Sequence, residues 1–121
     1  MKKIYYRKLI RDNIPAKMER VGAAYETKKL GKKEFEKELL KKVGEETSGL
    51  LAASNKKELT EELADVLDVI DEIRRIKKIK SSCVRKIQKE NAEKKGGFDE
   101  RIFLVWSEDT GYKTNEKRRK N

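Results

Sequence analysis

Histidine is absent from this chain, and no other gap in its composition removes as much chemistry. Without an imidazole there is no Ser-His-Asp triad, no His-rich zinc site and no His general base. Cysteine occurs once, at Cys83, which excludes an internal disulfide and fits a reducing cytoplasm. Proline also occurs once and glycine only 7 times in 121 residues. With Lys, Glu, Leu and Ile abundant, that scarcity argues against a strand-rich sandwich and for long helices. Long apolar runs are missing too. The opening MKKIYYRKLIRD carries cations but not the roughly 7–15 apolar residues of a secretory signal, and no segment approaches the roughly 18 of a membrane span. A soluble, cytoplasmic protein with no membrane partner is expected.

Charge is what the chain has in quantity. Lys and Arg outnumber Asp and Glu by 32 to 22, for a net charge of +10. The segment Lys113 to Asn121 carries five cations and one anion, and is expected to form a basic disordered tail beyond a domain spanning 1–112. The remaining positive charge suits a polyanionic partner, either a free nucleotide or a nucleic acid. Charged residues make up 45% of the chain against 36% apolar, so the core is modest and assembly into a homodimer or higher homo-oligomer is expected.

In chain order, Ile4-Tyr5-Tyr6 is a short β-prone piece. A short helix follows, with Asp12 or Asn13 to cap it, Pro15 in its first turn and an end near Gly22. Two long helices are predicted over Lys33 to Ala53 and Lys57 to Lys78, antiparallel because only Ser54-Asn55 connects them. A fourth runs over Ser82 to Lys95 and stops at Gly96-Gly97. The alternating Ile102-Phe103-Leu104-Val105-Trp106 reads as a short strand or an extended arm packing on the bundle or on a partner subunit.

The carboxylates of the long helices are the candidate chemistry. At about 100° per residue, Phe35, Leu39, Val43, Leu50 and Ala53 share one face, and Glu46 projects into its middle. A buried anion there needs a cation, a metal or a proton. On the next helix the apolar stripe is Leu59, Leu63, Val66, Leu67, Ile70 and Ile73, with Glu62 and Asp65 one turn apart on its shoulder. In a helix hairpin, Glu46, Glu62 and Asp65 converge. The competing readings are an ion pair with Lys or Arg for Glu46, and a solvated helix edge for Glu62 and Asp65. Glu45, Asp68 and Glu72 read as surface charge, and Cys83 as inert.

The segment Lys42-Val43-Gly44-Glu45-Glu46, followed by an apolar run and Glu61-Glu62-Leu63-Ala64-Asp65-Val66-Leu67, resembles the paired acidic motif of the MazG-like all-α nucleoside triphosphate pyrophosphohydrolases, relatives of phosphoribosyl-ATP pyrophosphohydrolase. Tyr6 to Pro15 is similar to the opening of a small house-cleaning branch, and Asn91 to Phe98 with Arg101 to Leu104 is similar to its close. The resemblance implies a MazG-like helical bundle with a short C-terminal extended arm, assembled as a dimer. It also implies Mg2+-dependent hydrolysis of a nucleoside triphosphate, noncanonical ones included, to monophosphate and pyrophosphate. The implied metal ligands are Glu46, Glu62 and Asp65, with Mn2+ as a substitute ion. Glu45 beside them suits an outer-shell or proton-accepting role. Lys8, Arg11, Lys94 and Lys95 are candidate phosphate contacts, and Asn91 a contact to sugar, base or phosphate.

One position departs from the family pattern: the partner expected for Glu46 falls on Gly49, which bears on metal stoichiometry and on activity. A carboxylate restored at 49 is expected to tighten magnesium binding. Two other functions remain open: a family member that binds nucleotides without cutting them, and a nucleic-acid-binding protein using Lys77, Lys78, Lys80, Arg85, Lys86 and Lys89. That cationic run lacks the interleaved aromatics of single-strand binders.

Overall fold

The computed structural model describes residues 2–109. Among them are four helices, α1 (Ile14–Arg20), α2 (Lys32–Ala52), α3 (Lys56–Lys77) and α4 (Ser81–Lys95), and no strand. The regular structure of the described residues is all helical, and the two long helices lie within one residue of their predicted bounds. The chain divides into two compact units, one running to Arg85 and the other starting at Lys86.

In the first unit, α2 and α3 form an antiparallel hairpin. Lys77 Nζ at the end of α3 lies 2.9 Å from Glu36 Oε2 near the start of α2. The turn between them is built by its own side chains. Asn55 is the N-cap of α3 and accepts from the Glu58 backbone N–H at 2.9 Å. The Glu58 carboxylate reaches back to accept from the Ser54 N–H and Oγ, each at 2.9 Å. The first bond satisfies a donor that the helix start leaves orphaned, and the second ties the residue before the cap to the first turn. The second also holds the Glu58 carboxyl below its usual range, with the Ser54 N–H the largest cause.

The hairpin seam is narrow. On α2, Phe35, Val43, Glu46 and Leu50 are half-buried and Leu39 is buried, 5% exposed. On α3 the half-buried positions Glu62, Val66, Val69, Ile73 and Ile76 alternate by four and three residues as in a two-helix seam, with Asp65, Glu72 and Arg74 half-buried beside them. The predicted α3 stripe needs correction here. Val66 and Ile73 do face inward, but Leu59, Leu63, Leu67 and Ile70 are 42%, 47%, 56% and 37% exposed. The apolar arc of α3 is wider than one neighbouring helix can cover.

The N-terminal segment is tied to this hairpin by cations. Lys42 Nζ donates to the Leu9 carbonyl at 3.0 Å, and Arg11 reaches two aspartates of α3. Pro15 sits in the first turn of α1, and Asn13 occupies its N-cap position without a side-chain cap bond. The helix ends where Gly22 turns left-handed at φ +73°. There the Ala23 N–H donates to the Met18 carbonyl and the Gly22 N–H to that of Glu19, each at 3.0 Å. The same closure ends α3, where Ile79 N–H donates to the Arg74 carbonyl at 2.9 Å, but Lys78 holds the left-handed position at φ +56°.

In the second unit, α4 stops at Gly96, φ +81°. Residues 101–109 form neither helix nor strand, and Ile102 to Trp106 are exposed, from 63% at Leu104 to 86% at Ile102. Of the predicted strand or arm, the strand does not form, and neither does one at Ile4 to Tyr6. A lone extended segment has no ladder partner for its backbone groups. The predicted tail, Lys113 to Asn121, lies outside the described residues.

Both devices at the helix ends are open to test. Lys78→Gly should stabilise the protein by about 1 kcal/mol, because a side chain at positive φ is strained by roughly that amount. Asn55→Ala should destabilise it by about 1 kcal/mol through loss of the cap. Urea melts of the two variants against wild type read both signs.

Candidate metal centre

The hairpin brings Glu46 of α2 together with Glu62 and Asp65 of α3. Each offers a carboxylate oxygen, these oxygens all lie within 4.8 Å of one another, and all three residues are half-buried. Glu46 arrives there because it lies on the same helical face as Leu39, Val43 and Leu50. Glu62 and Asp65 are one turn apart on the facing helix, so their side chains share a side.

Two of the three carboxylates already have cation neighbours. Lys42 Nζ lies 3.5 Å from Glu46 Oε1 and 3.3 Å from Glu45 Oε2, with a side chain only 16% exposed. Arg11 Nη2 lies 3.0 Å from Asp65 Oδ1 while its Nη1 lies 2.9 Å from Asp68 Oδ2. This fork raises the guanidinium pKa above its ordinary value, chiefly through the hydrogen bond to Asp68. Glu62 has neither a hydrogen bond nor an ion pair among the described residues. The three acids thus carry more negative charge than Lys42 and Arg11 neutralise.

Gly49 lies directly opposite Glu62. A Cβ built on Gly49 would sit 2.5 Å from Glu62 Oε2 and 3.0 Å from its carboxyl carbon. The expectation that a carboxylate at 49 would improve the site is therefore corrected: the space it would enter is filled by the Glu62 carboxylate.

Against family models, curated proteins and solved structures, the chain has no match.

The other predicted site residues are placed as follows. Glu45 is partly exposed and pairs with Lys42. Lys8 is exposed, its Nζ 5.9 Å from the centroid of the Tyr6 ring. Arg11 is bound to Asp65 and Asp68 through both terminal nitrogens but remains 60% exposed. Asn91, Lys94 and Lys95 are exposed on the last turns of α4, in the second unit. The ion pair with a Lys or Arg offered as the alternative for Glu46 forms, and its partner, not singled out in the sequence, is Lys42. Its spacing of three and four residues before Glu45 and Glu46 was the available signal. Asp68, read as surface charge, shares Arg11 with Asp65.

Chemically, three carboxylate oxygens suit a hard dication. Neighbouring ligands of an octahedral Mg2+ at ~2.1 Å lie ~3 Å apart. The acids must therefore draw together slightly around such an ion, which half-exposed Glu and Asp side chains can do. A ligand that binds only the folded state stabilises it by mass action, by about 2.7 kcal/mol at a hundred times its Kd. If the three acids hold Mg2+, the ion should raise the thermal midpoint of the wild type, and Glu46→Gln and Asp65→Asn should blunt the rise. Without the ion, Glu46→Gln should melt above wild type, since it removes one of three crowded anions. Calorimetry with and without Mg2+ checks both.

Proposed function

We propose that this protein is a magnesium-dependent pyrophosphohydrolase of the MazG-like type, converting a nucleoside triphosphate, canonical or modified, to monophosphate and pyrophosphate. The observation that carries the proposal is the convergence of Glu46, Glu62 and Asp65 from two helices onto one point. The order of the acidic motifs along the chain, and the absence of His, favour carboxylate and metal chemistry over imidazole chemistry.

In this reading Glu46, Glu62 and Asp65 hold Mg2+, or Mn2+ in its stead. The ion supplies neutralisation of the polyphosphate and activation of a water. The chain's own residues do the rest. Glu45, paired with Lys42, would accept a proton from the attacking water. Arg11 turns both terminal nitrogens to the aspartates and, being largely exposed, keeps others of its five N–H donors for a phosphate oxygen. Lys8, exposed in the same unit, supplies further positive charge. The bond broken is the α–β phosphoanhydride, and the water's oxygen ends on one of the two fragments. The exposed thiol of Cys83 fits a cytoplasmic setting.

A nucleotide-binding protein without hydrolysis is the second reading, favoured by Lys42 and Arg11, which already neutralise two of the acids. Nucleic-acid binding has the exposed Lys86 and Lys89 of α4 in its favour, whereas Lys77 of that cationic run is engaged by Glu36. A screen of canonical and modified triphosphates, with pyrophosphate and orthophosphate read separately, decides among them. Pyrophosphate release that stops in excess EDTA is expected. Undiminished turnover in EDTA, or orthophosphate as the first product, rules the mechanism out.

Self-association belongs to the same proposal. One copy leaves Leu59, Leu63, Leu67 and Ile70 of α3 exposed, and its one buried apolar residue among those described is Leu39. A second copy covering this stripe forms the homodimer or higher homo-oligomer. Sedimentation velocity should show a dimer or larger at micromolar concentration, and Leu63→Glu with Leu67→Glu should dissociate it. A monomeric wild type contradicts the assembly.

A further inference from the structure

We propose that Gly49 is a positioning residue: the absence of a side chain there is what allows the Glu62 carboxylate to lie against α2 and join Glu46 and Asp65. The inference rests on the metal-binding reading of that cluster and adds to it the element that shapes it.

The observation is steric. A Cβ at position 49 would come 2.5 Å from Glu62 Oε2, closer than any real Cβ contact, with the Glu62 carboxyl carbon at 3.0 Å and Oε1 at 3.4 Å. The three atoms nearest to that Cβ across the seam all belong to one carboxylate. The contact would be relieved by the far end of a flexible side chain, not by backbone. Even a methyl group at 49 therefore leaves the hairpin intact and turns Glu62 away. Gly44, one helical turn and a half earlier on α2, is the internal contrast. A Cβ there meets nothing within 4 Å. Both glycines sit inside a helix, where Gly is less stable than Ala, yet only one of them faces a carboxylate.

Fold stability and cation affinity consequently move in opposite directions at 49 and separately at 44. Gly44→Ala should raise the thermal midpoint and leave Mn2+ affinity, read by electron paramagnetic resonance titration, unchanged. Gly49→Ala should also raise the midpoint of the metal-free protein, or hold it, while weakening Mn2+ binding roughly ten-fold or more, the scale expected when the support of a ligand is lost. In a Glu62→Ala background the same change at 49 should have no effect on affinity, because its target is gone. A nuclear Overhauser contact between the Gly49 Hα and Glu62 Hγ protons, measured without metal, should be present in the wild type and absent from Gly49→Ala. If Gly49→Ala binds Mn2+ like wild type while Glu46→Gln and Asp65→Asn do not, the metal site stands and the role of Gly49 is overturned. If the wild type binds no Mn2+, or Glu46→Gln and Asp65→Asn bind as it does, the metal reading fails and the inference falls with it. Equal loss of affinity from Gly49→Ala in the Glu62→Ala background overturns it as well, since the effect would not pass through Glu62.

Discussion

Mutual repulsion among three carboxylates on the α2–α3 seam is the constraint around which the first unit is arranged. Unit charges 4.8 Å apart, the widest separation of these oxygens, repel by about 3.5 kcal/mol per pair at an effective dielectric near 20. That is comparable with the burial of a leucine, so the seam cannot hold them without compensation. Lys42 beside Glu46 and Arg11 beside Asp65 supply part of it, and each also serves the fold. Lys42 donates to the Leu9 carbonyl, and Arg11 joins the N-terminal segment to α3. The same two cations therefore tether residues 9–11 to the hairpin and temper the acid cluster. Glu62 is left without a cation of its own, and that residual charge is what the proposed dication would meet.

The hairpin has little else to hold it. Its one buried apolar residue is Leu39, and much of the apolar arc of α3 faces solvent. Two helices can bury only the strip each turns to the other, and a strip that includes Glu46, Glu62 and Asp65 buries less hydrocarbon still. Local devices take on more of the work: the Asn55–Glu58–Ser54 turn, the left-handed closures at Gly22 and Lys78, and the Lys77–Glu36 pair at the open end. A fold so dependent on turns and ion pairs gains most from another surface laid over α3, which is why self-association belongs with the proposed function.

Much of this was legible in the sequence, for local reasons. Helix periodicity, the lone Pro15 at a helix start, Gly22 and Gly96 at helix ends, and the short link between α2 and α3 all act over a few residues, and each falls where it was predicted. The inward face of Glu46 follows from the same periodicity, because Leu39, Val43 and Leu50 on its face bury it with them. Three features were decided only by the tertiary structure. The rotation of α3 chose Val66, Val69, Ile73 and Ile76 for the seam over Leu59, Leu63, Leu67 and Ile70, although both sets lie on one broad apolar arc. Arg11 was matched to Asp65 and Asp68 across 54 and 57 positions of sequence, and nothing near Arg11 in the chain specifies that pairing. Gly49 reads along the chain as a missing ligand, whereas across the seam it is the space that Glu62 fills. In each case the deciding quantity is how closely, and at what rotation, one helix approaches another, and a helix carries no record of that in its own period.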